Sequence, residues 1–215
     1  MTERSTDPGA VESRERLLDT AEDLFSRQGL DAPSARAIAL AAGHANTAAV
    51  SYHFGDRFGL VAAVVRRRAD QLDVRRVALL EELEANPPIA PSEAIRALIQ
   101  PWTELLATAE GRRWLGLLNQ LSHHPVYAPR MTPNFTAAAA RGSAYVIPIA
   151  AHLEPRVRRF RARAAIQNVV TSLGVLSALW DAADRGEAGP DDGILTDAEV
   201  IPELVGMVLA ILTAP

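Results

Sequence analysis

The sequence contains neither cysteine nor lysine. Without cysteine there can be no disulfide framework, no thiolate metal site and no cysteine nucleophile, and a reducing cytoplasm is the compartment to expect. All 22 basic residues are arginine; alongside abundant Ala, Gly and Pro, this reflects GC-rich coding rather than phosphate chemistry. No apolar run approaches the roughly 20 residues that cross a bilayer. Residues 1–11 are polar and carry acids, so they do not read as a secretory signal. A soluble, cytoplasmic protein with no membrane contact is therefore expected. The formal net charge of −4 argues against indiscriminate nucleic-acid binding, which goes with a basic balance, but leaves room for one local DNA-reading surface.

Strand signals are also scarce. There is no sustained apolar–polar alternation and no Asn-Gly or Asp-Gly hairpin between β-branched runs, so an all-α fold follows. Leu17, Ala21, Leu24 and Phe25 form one apolar stripe of a helix over residues 13–28, stopped by Gly29. Ser34 caps a short helix to about residue 41, with Ile38 facing inward. Gly43 breaks the chain, and another short helix covers about residues 47–53. Asp56 caps a long helix to about residue 84, where Asn86-Pro87-Pro88 ends it, because proline lacks the donor and clashes with the preceding turn. Further helices are expected over residues 92–109, 112–122, 133–152, 155–185 and 197–212, which makes nine. The Gly- and acid-rich stretch 186–193 reads as an exposed loop. The expected division is a flexible arm over 1–12, a small domain over 13–57 and a larger one over 58–215.

The segment SARAIALAAGHANTAAVSYHF, residues 34–54, holds two short helices around a glycine-containing turn. A helix-turn-helix needs that arrangement, with the second helix entering the major groove and showing its first side chains to base edges. Ala39 and Ala42 are small where two helices approach closely. Asn46 and Thr47 stand where a cap or an early groove contact belongs. On spacing alone, a plain helical hairpin remains the alternative reading.

The wider pattern is more specific. RLLDTAEDLF, then Gly29, then AIALAAG, then VSYHFGDRFGL resemble the DNA-binding domain of the TetR family in order and spacing, and the triplet Tyr52-His53-Phe54 with Asp56, Arg57 and Leu60 is the most telling part. The resemblance covers about 50 residues well and the rest only in length and helix count. Two departures are visible: the turn before Tyr52 is one residue longer than in common members, and Phe58 stands where an acid is usual. The resemblance implies a homodimeric repressor that binds double-stranded operator DNA. It makes Tyr52 and His53 a backbone-contacting pair, with Arg57 adding a phosphate contact from the next helix. Ser34 can offer a helix N-terminus to a phosphate, and Arg36 can reach the backbone or a guanine edge. Base readout falls to Asn46, Thr47 and Ser51, with Ala48 against a thymine methyl. Phe54 reads as core.

In the remainder, Ile166, Val169, Val170, Leu173, Leu176 and Trp180 line one face of the eighth helix, with the small Ser177 among them. The ninth, with Leu204, Met207, Val208 and Ile211, is apolar nearly all round and must be buried on several sides. These faces read either as intramolecular core or as a dimer interface; the resemblance implies the second. An apolar pocket for an unidentified small-molecule effector is expected among the middle helices, with Trp102, Leu106, Trp114, Leu118, Asn119, His123, Phe135 and Tyr145 as candidate lining. His123 and His124 are adjacent, so they point apart on a helix and lack a third ligand; no metal and no cofactor are expected. The arginine run Arg156, Arg158, Arg159, Arg161 and Arg163 reads as a solvated helix face. The rival readings are a helical dimer that binds DNA architecturally without ligand control, and a small helical enzyme, for which no nucleophile motif, phosphate loop or cofactor fingerprint is present.

Overall fold

Most helices start where the sequence supplies a cap or a proline and stop where glycine or proline intervenes. In the computed structural model, residues 8–46, 48–130, 136–188 and 194–215 are described. They form nine α-helices and no strand: α1 (Pro8–Gln28), α2 (Ala35–Ala41), α3 (Ala49–Phe54), α4 (Arg57–Glu84), α5 (Pro91–Thr103), α6 (Ala109–His123), α7 (Ala137–Val146), α8 (Pro155–Asp184) and α9 (Asp197–Thr213). Side-chain caps open four of them. Ser34 accepts from Ala37 N at 3.1 Å, Asp56 from Gly59 N at 2.7 Å, Thr108 from Gly111 N at 3.0 Å and Thr136 from Ala139 N at 3.2 Å. Each satisfies a donor that the first helical turn leaves orphaned.

Three expectations need correcting. Residues 8–12, read as part of an arm, belong to α1, which starts on Pro8; a proline fits a first helical position because its missing donor is not needed there. The helix expected over 92–109 ends at Thr103, two residues beyond the buried Pro101, and tightens into a 3-10 turn over Glu104–Ala107. The helix expected to reach residue 152 likewise gives way to a 3-10 turn over Ile147–Ala150, which contains Pro148. Both prolines interrupt the ladder of backbone hydrogen bonds without producing a loop.

Two cores form. The first gathers Leu17, Leu18, Phe25, Ile38, Val50, Leu60 and Val64 from α1–α4, together with Leu117 and Leu121 of α6 and Tyr127 beyond it. The second gathers Ile95, Leu106, Trp114, Leu115, Val169, Leu173, Leu204 and Val208. Helix α6 therefore contributes one face to each core. Arg112 in α6 is buried and holds the far end of α8, donating to Asp181 and Asp184 at 2.5 Å each and to the Leu106 carbonyl at 2.9 Å. An Arg112→Met chain should lose about 2–3 kcal/mol of stability, read as a lower urea midpoint, because the buried Leu106 acceptor and two carboxylates lose their partner at once.

Candidate nucleic-acid interface

The recognition surface is built by burying one side of two short helices and exposing the other. Ile38 and Ala39 of α2, Ala42 after it, and Ala49 and Val50 of α3 lie in the core. The small alanines let the helices approach. Gly43 takes a φ of +79°, a left-handed conformation that costs a side-chain-bearing residue free energy. The Asn46 side-chain oxygen accepts from Ala48 N at 2.9 Å, and its carbonyl accepts from Ala49 N at 3.2 Å. Asn46 thus fixes the entry to α3 with its oxygen and has only its amide to offer a base.

With the apolar side turned inward, Ser34, Arg36, Asn46, Ala48, Ser51 and Tyr52 are all exposed. Tyr52 is 76% exposed, which rules out a packing role in the free protein. Phe54 is partly buried against the core, as expected of it, with the Arg14 guanidinium 5.3 Å from its ring centre. Thr47 lies outside the described residues.

Arg57 does not fit the phosphate contact expected of it. Its guanidinium turns inward, donating to the carbonyls of Leu30 and Pro33 and, at 3.1 Å, to the Tyr127 hydroxyl, and it lies 5.3 Å from the centre of the Phe25 ring. With its donors committed to buried acceptors, it ties α1, the loop before α2 and the segment after α6 to the start of α4. His124 supports the same junction: its Nδ1 accepts from Val126 N and Tyr127 N, and its Nε2 faces the Asp31 carboxylate at 3.2 Å. The local sequence carries no signal for this junction, since Arg57 and Tyr127 are 70 positions apart.

A second cluster also escaped the sequence reading. Ser13 Oγ of α1 lies 3.1 Å from His53 Nε2 and 3.4 Å from His44 Nε2. Burial pushes the His53 pKa below the ordinary histidine range, and the nearby His44 and Arg14 push it the same way. His53 is only partly accessible and rests against the exposed Tyr52 ring, centroid to centroid 4.9 Å.

Residues 17–64 match the sequence model described as "Bacterial regulatory proteins, tetR family". Over this stretch the chain is similar to the TetR family of bacterial regulators. The matched stretch runs from α1 to the first turns of α4 and so spans the helix-turn-helix. The chain is also 34% identical over 113 residues to the HTH-type transcriptional regulator AcrR of Shigella flexneri, a match covering 52% of this chain and 50% of that protein. It therefore spans about half the length of this curated relative. Among solved structures it is similar to a putative TetR-family transcriptional regulator from Rhodococcus sp., with a TM-score of 0.47, 15% identity, and coverage of 94% of this chain and 99% of that one.

The remaining candidates fall in different places. Val169, Val170, Leu173, Ser177, Leu204 and Val208, expected at a dimer interface, are buried within the chain itself. Helical periodicity reported their burial correctly but not the partner, because α8 and α9 spend that stripe on α5, α6 and each other. Ile166, Trp180 and Ile211 are partly accessible, and Met207 is exposed along with Val175 and Phe160. Of the expected effector-binding residues, Leu106 and Trp114 are buried in the core, Trp102 and Leu118 are partly buried against it, and His123 is exposed. Tyr145 is tied to α4, its hydroxyl donating to Glu84 at 3.0 Å. Asn119 faces Gly174 of α8, and its Oδ1, like the Trp114 Nε1, is buried without a hydrogen-bond partner. Phe135 lies outside the described residues. A cleft of about 290 Å³ between the end of α5 and the start of α9 is lined by Gln100, Thr103, Leu106, Val200 and Ile201 among others, and Leu106 is the one expected residue among its lining.

Proposed function

We propose that this protein is a sequence-specific DNA-binding transcriptional repressor that acts as a homodimer on a pseudo-palindromic operator and is released by a small-molecule effector. The observation that carries the reading is the exposed polar side of α2 and α3, backed by a closely packed apolar side, within the segment that matches the family. Tyr52 and His53 supply contacts to the DNA backbone, while Ser51, Ala48 and the Asn46 amide face base edges. Arg36 adds the one cation on this exposed face of α2. With few charged donors in α3, sequence choice rests on a small number of hydrogen bonds and on groove shape.

A two-fold dimer suits such a surface, because it presents two recognition helices to two half-sites. The accessible side of α8 and α9, with Phe160, Val175 and Met207, is the face left for it. The effector acts by binding more tightly to one spacing of the two DNA-binding heads, each formed by α1–α3, than to the other. Two routes connect the domains: α4, which runs unbroken from the head to Glu84, and α6, whose Leu117 and Leu121 sit in the head's own core. Arg68 adds a third tie, bridging Glu22 of α1 at 2.5 Å and Glu110 of α6 at 3.3 Å.

The test is fluorescence anisotropy of the full chain on duplexes it has itself enriched from a random-sequence pool, against scrambled duplexes, across a salt series. Preference that persists at physiological salt supports the reading; equal and steeply salt-dependent binding to both means architectural binding, and no binding to either sinks it. Tyr52→Ala should weaken specific binding about tenfold, roughly 1.4 kcal/mol, and leave the thermal midpoint unchanged, since the side chain packs against little in the free protein.

A further inference from the structure

The head carries two histidines that share one hydroxyl. His44 comes from the turn of the helix-turn-helix, His53 from the end of α3, and both place Nε2 within hydrogen-bonding reach of Ser13 Oγ on α1. We propose that Ser13, His44 and His53 form a proton-linked DNA contact, taking up a proton as the phosphate backbone docks on α3. The proposal rests on the DNA-binding reading above.

The chemistry of the hydroxyl makes this possible. A serine has one proton and two acceptor lone pairs. With both imidazoles neutral, Ser13 donates to one and accepts from the other. When the imidazole that had been accepting gains a proton, Ser13 can accept from both, and only its hydroxyl rotor has to turn. The trio therefore takes up a proton without moving a heavy atom.

The charges around the pair decide when this happens. Burial, the neighbouring imidazole and Arg14 all disfavour a charged His53 in the free protein. Arg14 is paired with Glu15 on α1, and Glu12 there is paired with Arg16. On the α4 side, the Asp56 carboxylate is used on Gly59 N and the Arg57 guanidinium is turned to Leu30 and Pro33. Among the described residues no carboxylate is paired with either imidazole. A phosphate arriving beside Tyr52 and His53 supplies the missing counter-charge and raises the affinity of the pair for a proton. The sign follows from linkage: the complex binds more protons than the free protein, so DNA affinity rises as pH falls from the bound-state to the free-state pKa.

The experiment measures affinity of the full chain for its enriched duplex at constant ionic strength from about pH 8 to about pH 6, where histidine titrates. Uptake of one proton tightens binding by up to about tenfold per pH unit. Calorimetry in buffers of different ionisation enthalpy counts the protons directly. His53→Gln and His44→Gln, each checked for unchanged circular dichroism, should flatten the profile. Ser13→Ala should shift its midpoint, a change that a purely structural serine would not produce. pH-independent binding by the parent chain overturns the proposal and leaves the DNA-binding reading intact. A slope that survives in both histidine variants overturns it too, by placing the proton elsewhere. Failure to bind any duplex at any pH overturns both.

Discussion

A Gly59→Ala chain should lose operator binding and at least about 3 kcal/mol of stability, a large loss for a single added methyl group. A Cβ built on Gly59 would lie 1.9 Å from the Phe54 carbonyl oxygen and 3.1 Å from its carbon, both backbone atoms that no rotamer change can move. The contact arises because the chain reverses between α3 and α4: Gly55 takes a φ of +80°, Asp56 caps α4 through Gly59 N, and the third residue of α4 is brought against the last of α3. Relief requires α3 to move away from α4, and α3 carries the surface proposed to read DNA. Loss of binding should therefore exceed what unfolding accounts for, and anisotropy at a temperature where circular dichroism shows the chain still folded separates the two. Wild-type affinity in a folded Gly59→Ala protein would mean that the α3–α4 corner has room this geometry denies it.

The start of α4 was legible because an aspartate cap, a helix-length apolar stripe and a double proline mark its ends, and it runs as expected from Arg57 to Glu84. The span of α9 was legible from its apolar run alone; the structure adds that Glu199 accepts from Thr196 N at 2.9 Å at its start. What stayed hidden depends on where side chains meet. Nothing near Pro101 distinguishes a helix that continues to residue 109 from one that tightens into a 3-10 turn, because Leu105 and Leu106 keep the apolar rhythm through the break. The stripe on α8 announces burial but is silent about whether α6 of the same chain or a second chain covers it. Ser13, His44 and His53 are 31 and 40 positions apart, so their meeting is a property of the three-helix head and not of any motif. In the most recognisable stretch, from Tyr52 to Leu60, Arg57 reads as a phosphate contact, whereas its guanidinium fills an internal site.

That internal site carries the other large expected effect. Arg57→Met keeps much of the aliphatic stem and removes the guanidinium, leaving the Leu30 and Pro33 carbonyls and the Tyr127 hydroxyl without their donor and the Phe25 ring without its cation. Several unsatisfied polar groups at about 1–3 kcal/mol each, partly offset where water enters, should cost about 3–4 kcal/mol in all. Pro33 and Tyr127 are both buried, so little water reaches them without local opening. Tyr127→Phe, which removes one partner and leaves the two carbonyl bonds, should cost only about 1 kcal/mol. The functional consequence differs from the energetic one. Arg57 and Tyr127 join the first turn of α4 to the segment after α6, so the pair holds the head in register with the domain proposed to bind effector. Tyr127→Phe should therefore fold and bind DNA with nearly parental affinity, while the effector concentration needed for release shifts. Parental stability in Arg57→Met, together with parental effector response in Tyr127→Phe, would show that the Arg57–Tyr127 junction does not couple the two domains.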